Sequence, residues 1–292
     1  MESNLHESVL VKEVLEALHL KKTGKYIDAT LGNGGHTLEI LKSGGDVLGI
    51  DLDPEMIAIA QRRLKESGLT GYKLVNGNFT NIDRIANQND FNPADGILFD
   101  LGVTNLHLKN LERGFSFENA DAPLDMRIDP KTQGVKANDL LNVLREDQLT
   151  DLFKVTLDLG AAKWITGRVI HARSEKTITT VGDMLEICEG LKTGKTGLNA
   201  ATLPFLALRI AVNSELSNLE EVLPKAFDLL VNGGRLVVIS FHSGEDTIVK
   251  NFFKEKIKMG AKAITTKPVL AEFEEIGMNR RARSAKMRVI QK

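Results

Sequence analysis

Apolar residues along the first hundred positions fall into short runs separated by stretches with helical spacing. Val9, Leu10, Val14, Leu15 and Leu18 recur at the three- and four-residue intervals of one helix face and predict a helix over 6–20. Apolar runs beginning at Tyr26 and spanning 47–50, 73–75 and 94–99 predict four strands, with helices over 35–43 and 54–67 between them. The run at 94–99 is nearly continuous in apolar character, as a strand covered on both faces requires. After residue 101 this alternation stops and a loop rich in arginine and phenylalanine follows. Helical spacing then marks 137–144, 146–157, 161–173 and 179–191, the last with Thr179 or Thr180 as its cap. Two more helices are predicted over 201–216 and 219–230. A turn at Asn232, Gly233 and Gly234 then leads into a fifth strand over 235–240. A helix over 246–258 precedes two strand-like runs at 263–269 and 284–290. The pattern predicts an α/β fold: a mostly parallel sheet closed by a C-terminal antiparallel hairpin, built from 1–101 and 200–292. A mainly helical insertion over 102–199 interrupts it.

The first strand delivers the chain into YIDATLGNGGH at 26–36, where Gly32, Gly34 and Gly35 leave room for a ligand to touch backbone. A dinucleotide site would place a third glycine or alanine where Thr37 stands, to pack helix and strand closely around a pyrophosphate. S-adenosylmethionine has no pyrophosphate and makes no such demand. The second strand ends in Asp51, Leu52, Asp53 and Pro54. Pro54 suits the first turn of a helix, so Asp53 is its expected cap and Asp51 the expected ligand for ribose hydroxyls. Phe79, after the third strand, lies where an adenine ring could rest, or packs into the core. Asp100 ends the fourth strand and would face the glycine loop across the point where strand order reverses, at the reactive end of the cofactor.

Composition narrows the field. Cys188 is the single cysteine, so no internal disulfide can form, and the six histidines lack zinc-ligand spacing, which gives no reason to expect a metal. No apolar run approaches the ~20 residues needed to span a bilayer, and no charged-then-apolar leader opens the chain; a cytoplasmic protein without membrane contact is expected. The formal net charge of −1 hides an asymmetry: residues 251–292 carry 11 Lys and Arg against 4 Asp and Glu. Such a basic end suits contact with phosphate backbones, or forms a solvated face.

Taken in order, DATLGNGGH, GIDLDP, DGILFDLGV, ERGFSF, PLDMRID, ALRIAVNSEL, GGRLVVISFHSGED and RARSAKMR resemble the RsmH/MraW family of ribosomal small-subunit RNA cytosine-N4 methyltransferases over nearly the whole chain. The resemblance implies a class I, Rossmann-like methyltransferase sheet with a helical substrate-recognition insertion. It implies methylation of N4 of a cytidine in the decoding centre of 16S rRNA, with S-adenosyl-L-methionine as cofactor. The implied partner is 16S rRNA in the 30S subunit; whether the chain forms a homodimer is left open. The family's cofactor contacts carry over to Gly34, Gly35, His36, Asp51, Phe79 and Asp100, and a further one falls on His107, where the family usually has glutamine. Other departures are Ala161 and Ala162 for a pair of glutamates, Leu203 for an arginine and Gly244 for a leucine.

An exocyclic amine conjugated into a ring is a poor nucleophile and needs a group to accept its proton. Asp100 is the first candidate, with a backbone carbonyl near Leu101 or Gly102 as an assistant and His36 and His242 as rivals. Reaching the amine means unstacking the base. Phe115, Phe117 and Phe241 could stack on it, and Arg113, Arg127, Arg209, Arg281 and Arg283 could hold phosphates, or each could be structural. Two other readings stay open: a methyltransferase for a non-RNA substrate, and an RNA-binding assembly factor without catalysis. Asp100 and the intact glycine loop speak against the second of these.

Overall fold

The computed structural model describes residues 8–104, 112–193 and 197–292. They form two compact units, Met1–Gly102 with Leu216–Lys292, and Val103–Glu215.

The first unit is a seven-stranded sheet. Its parallel strands are β1 (Lys25–Asp28), β2 (Asp46–Asp51), β3 (Tyr72–Asn76), β4 (Ala94–Asp100) and β5 (Leu230–Ser240). The short β6 (Lys262–Ala263) and β7 (Lys286–Gln291) close it antiparallel, in the order β3-β2-β1-β4-β5-β7-β6. Strand order reverses between β1 and β4, the position where an open α/β sheet forms a ligand crevice at its carboxyl ends. Alternate residues of β4 feed opposite cores. Ile97 and Phe99 join Ile27, Leu48 and Val238 on one face, and Leu98 joins Tyr26, Val47 and Val237 on the other. Helices α1 (Val11–Leu18), α2 (Gly35–Lys42) and α3 (Pro54–Glu66) add Val14, Leu18, Ile40 and Leu64 to the second core. The helix α4 (Ile82–Gln88), which sequence periodicity did not mark, adds Ile82 and Ile85 to the first.

Two strand boundaries differ from expectation. β5 starts at Leu230 because the Asn232-Gly233-Gly234 segment is an irregularity within the strand: Gly233 has φ 83° and the β4 pairing shifts register between Ala94 and Gly96. The closing pair is β6 with β7 plus one isolated bridge, Val269 to Met287. Between them lie a helix (Phe273–Met278) and a 3-10 turn (Arg280–Ser284) capped by Asn279.

The second unit packs α5 (Ala137–Val143), α6 (Glu146–Lys154), α7 (Leu159–Glu175), α8 (Val181–Cys188) and α9 (Thr202–Val212) around one apolar core. Thr180, not Thr179, caps α8: its hydroxyl accepts from Asp183 N while the Asp183 carboxylate accepts from Thr180 N. The unit ends later than the expected boundary at 199. Leu203, Phe205, Ala207 and Leu208 of α9 are buried in the same core as Leu149, Phe153 and Ile165. In the sheet unit, α10 (Glu215–Leu229) and α11 (Ser243–Lys258) cover the first core with Leu219, Val222, Leu223, Val249 and Phe253. No helix among the described residues is long and apolar enough to cross a membrane.

Candidate active site

β1 runs out at Asp28, and the loop that follows is tied to both neighbouring strands: Ala29 N donates to Leu98 O, and Leu31 N to Ile50 O, each at 2.9 Å. Gly32 (φ 52°) and Gly34 (φ 78°) then reverse the chain in the left-handed region, which glycine enters at little cost, and Gly34 is the N-cap of α2. The approach is close: a Cβ at Gly35 would lie 2.0 Å from Ser8 Oγ, and one at Gly34 3.3 Å from Ala60 Cβ. Thr37, where a dinucleotide site wants glycine, is fully buried and donates its hydroxyl to Asp28 Oδ2 at 2.7 Å.

Asp51 ends β2, and its carboxylate oxygens accept from Gly32 N (2.7 Å) and Asp53 N (2.8 Å). It braces the glycine loop from the neighbouring strand. Asp53 caps α3 through Glu55 N at 2.8 Å, the division of labour expected from Pro54. Phe79 is half-buried and meets Phe99 edge to face, ring centroids 5.7 Å apart, so the same ring serves the core and keeps some exposed surface.

Asp100 is brought to this loop from β4. Its N–H donates to Thr30 Oγ1 at 2.6 Å, and its Oδ2 lies 3.9 Å from His36 Nδ1. Only 12% of its side chain is exposed, and Oδ1 is buried with no hydrogen-bond partner among the described residues. Burial pushes this carboxyl up from its ordinary value; His36 and then Arg281 pull it back, and Glu245 adds to the rise. An acceptor oxygen left unpaired in a buried site fits a ligand that donates a hydrogen bond there. His36 is 4% exposed and turns its ring inward, Nε2 against Val9 O at 2.9 Å. Its backbone, not its imidazole, is what the glycine loop can offer a cofactor.

Other candidates sort by what they touch. His242 caps α11 in a reciprocal pair with Glu245, whose Oε2 accepts from Phe241 N (2.8 Å) and His242 N (3.2 Å). Phe241 carries the Arg281 guanidinium over its ring at 4.9 Å, and the Gly102 turn lies against that ring. Arg283 is exposed. In the other unit, Arg113, Arg127 and Arg209, each open between phosphate contact and a structural role, bond to acceptors within their own unit. Arg113 donates to Arg127 O (2.8 Å). Arg127 forms a forked pair with Asp125 (2.6 and 2.7 Å) and donates to Gln133 O. Arg209 forks onto Glu215 at 2.8 and 2.9 Å. A guanidinium bound in that way holds a loop in place. Phe115 is buried, and Phe117 packs edge-on against Phe205 at 4.7 Å. His107 lies outside the described residues.

Sequence periodicity alone did not point to Asp28, Thr30 and Thr37. Their signal was the spacing inside DATLGNGGH and its next residue: a strand-end acid followed nine residues later by a hydroxyl on the first turn of α2.

The sequence model of the MraW methylase family matches residues 3–292. The chain is 41% identical over 300 residues to the ribosomal RNA small subunit methyltransferase H of Methylacidiphilum infernorum, spanning 97% of this chain and 93% of that one. It is 39% identical over 312 residues to the protein of the same name from Halothermothrix orenii, spanning 98% of each. Among solved structures, an rRNA methylase from Streptococcus thermophilus superposes with a TM-score of 0.45 at 12% identity, over 97% of this chain and 93% of that one.

Proposed function

The chain belongs to the MraW methylase family, and from that premise we propose that it methylates N4 of a cytidine in the decoding centre of 16S rRNA. It is a methyltransferase with a class I, Rossmann-like sheet, and its cofactor is S-adenosylmethionine. Relatives at about 40% identity over nearly their full length are named for small-subunit ribosomal RNA, which supports RNA of that subunit as the substrate. The observation that carries an amine target is Asp100: a buried carboxylate oxygen without a partner among the described residues, at the end of β4, beside the glycine loop.

When bound, S-adenosylmethionine supplies an electrophilic methyl group on a positively charged sulfur. The chain's own residues do the rest. Gly34 and Gly35 present backbone to it, Asp51 accepts from ribose hydroxyls, and Phe79 offers ring surface to the adenine. Asp100 Oδ1 accepts an N4–H hydrogen bond, which orients the amine and draws its lone pair out of conjugation with the ring. Phe241, backed by Arg281 and close to Gly102, supplies an aromatic face for an unstacked base within the same unit.

Replacing Asp51 tests the cofactor half of this reading. A charged hydrogen bond contributes about 1.5–3 kcal/mol, so Asp51→Ala is expected to weaken S-adenosylmethionine binding about 10- to 150-fold by calorimetry. Loss of the Gly32 brace adds to the effect, and unchanged affinity would remove Asp51 from the site. The substrate half is tested by transfer of labelled methyl to unmodified 30S subunits, with naked rRNA and tRNA in parallel and the modified base mapped. Label on a single N4-methylcytidine is expected. Label on another atom, or cofactor binding without methylation of any RNA, would refute the assignment.

A further inference from the structure

A backbone seat for a cofactor has no use for an imidazole, yet the His36 ring is held in a definite orientation. Its Nε2 lies 2.9 Å from Val9 O. A carbonyl oxygen only accepts, so the proton on that nitrogen is fixed there. The other ring nitrogen, Nδ1, is then the atom that faces Asp100 Oδ2 at 3.9 Å. In the neutral ring that atom is a bare lone pair directed at a carboxylate, between two side chains only 4% and 12% exposed. Low-dielectric surroundings make such a confrontation costly. A proton on Nδ1 removes it, since the imidazolium then faces the carboxylate as an ion pair at 3.9 Å.

We propose that His36 is a positioning residue for Asp100, carrying a proton on Nδ1 so that Asp100 stands as a carboxylate, ion-paired through Oδ2 and with Oδ1 open to the target amine. The inference rests on the amine reading above and adds a source for the charge state of its acceptor. As the amine becomes methylated, its N–H bond breaks with the electron pair staying on nitrogen, and the proton forms an O–H bond at Oδ1. The amine leaves neutral and Asp100 is left as the acid, to be returned to the carboxylate by solvent before the next turnover.

The other charged groups that face the pair come from three elements. Asp28 at the end of β1 accepts from Thr37 Oγ1 and, at 3.4 Å, from Thr30 N. Glu245 of α11 caps that helix. Arg281 of the 3-10 turn lies over Phe241. Burial raises the Asp28 carboxyl, with His36 and the Thr37 hydroxyl opposing and Asp100 adding, so Asp28 competes with Asp100 for the same imidazole. Arg281 favours the Asp100 carboxylate and Glu245 opposes it. His36 does more than Arg281 to hold Asp100 down, so removing it shifts Asp100 upward.

His36→Gln tests this, because glutamine keeps a donor for Val9 O and has nothing in place of Nδ1. The Asp100 carboxyl, followed by carbon-13 NMR in the cofactor-free protein, is expected to titrate higher in the variant. The acidic limb of the single-turnover rate with 30S subunits should move up by the same amount, with rates converging at high pH. Cofactor affinity, measured in parallel, separates an effect on Asp100 from one on the glycine loop. In the unsubstituted protein, the nitrogen-15 shifts of the His36 ring should show Nδ1 protonated where Asp100 is ionised; this readout stands even if the variant does not fold. A titration of Asp100 that does not move, a rate that falls equally at every pH, or a bare Nδ1 across that range would overturn the inference. A wild-type protein that methylates no cytidine would instead refute the proposed function, and the two NMR readouts would still decide the role of His36.

Discussion

Asp100→Asn is expected to lower single-turnover methyl transfer to 30S subunits by about 10²- to 10⁴-fold, the range contributed by a positioned acid or base. The substitution keeps the size of the side chain and leaves the backbone N–H bond to Thr30 Oγ1 in place, so the end of β4 stays joined to the glycine loop. What disappears is an anionic acceptor. The Asp100 Oδ1 position is buried without a partner among the described residues, and an amide there can accept a hydrogen bond but cannot take up the amine proton. The cofactor dissociation constant, measured alongside, is expected to change far less than the rate, because Gly34, Gly35, Asp51 and Phe79 are untouched. A variant that transfers methyl at the wild-type rate would exclude Asp100 from the chemistry. One that has lost cofactor and rate in equal measure would make it a binding residue only.

Gly114→Ala is expected to cost about 3 kcal/mol of stability, the sum of an overpacking penalty and a left-handed backbone that alanine resists. Gly114 has φ 73°, and an added Cβ would lie 2.6 Å from Pro123 O and 3.0 Å from Asp125 N, both backbone atoms that cannot swing aside. The clash falls on a strap that the insertion depends on. Met126 N donates to Arg113 O at 3.0 Å, Arg113 reaches Arg127 O, and Asn213 of the segment after α9 bonds to Met126 O at 2.9 Å. Chemical denaturation should show the loss. Hydrogen exchange should place the added opening in residues 112–215, while cofactor affinity is expected to fall less than stability, since Gly34, Gly35, Asp51 and Phe79 lie in the other unit. Gly134→Ala is the control, since a Cβ there meets nothing within 4 Å and should leave stability unchanged.

Much of the sheet was legible because its signals are local. Strands covered on both faces read as short continuous apolar runs, and Asp53 with Pro54 announces a helix start whatever lies around it. The glycine loop was legible for the same reason, since a positive φ at Gly34 is a demand of the backbone itself. Where expectation and structure part, the reason lies far along the chain. The helix α9 reads as part of the sheet unit by sequence position, but its apolar face is completed by Leu149, Phe153 and Ile165, about fifty residues earlier. Arg113, Arg127 and Arg209 are a different case: their acceptors lie 14, 2 and 6 positions away, and it is the local turn of the chain that sets each guanidinium on them.

By itself, then, the amino-acid sequence determined the alternation of strands and helices, the conformation of the glycine loop, the cap at Asp53 and the placing of acids at the ends of β2 and β4. Each follows from backbone and side-chain chemistry within a few residues. The tertiary structure alone decided which of those acids keeps an oxygen open. Asp51 and Asp100 are both strand-end aspartates, but backbone amides of the glycine loop and of Asp53 bond to the first. The second meets His36, whose ring is fixed by Val9, and keeps Oδ1 unpaired among the described residues. That difference rests on partners 64 to 91 positions from Asp100, a separation over which sequence carries no geometry.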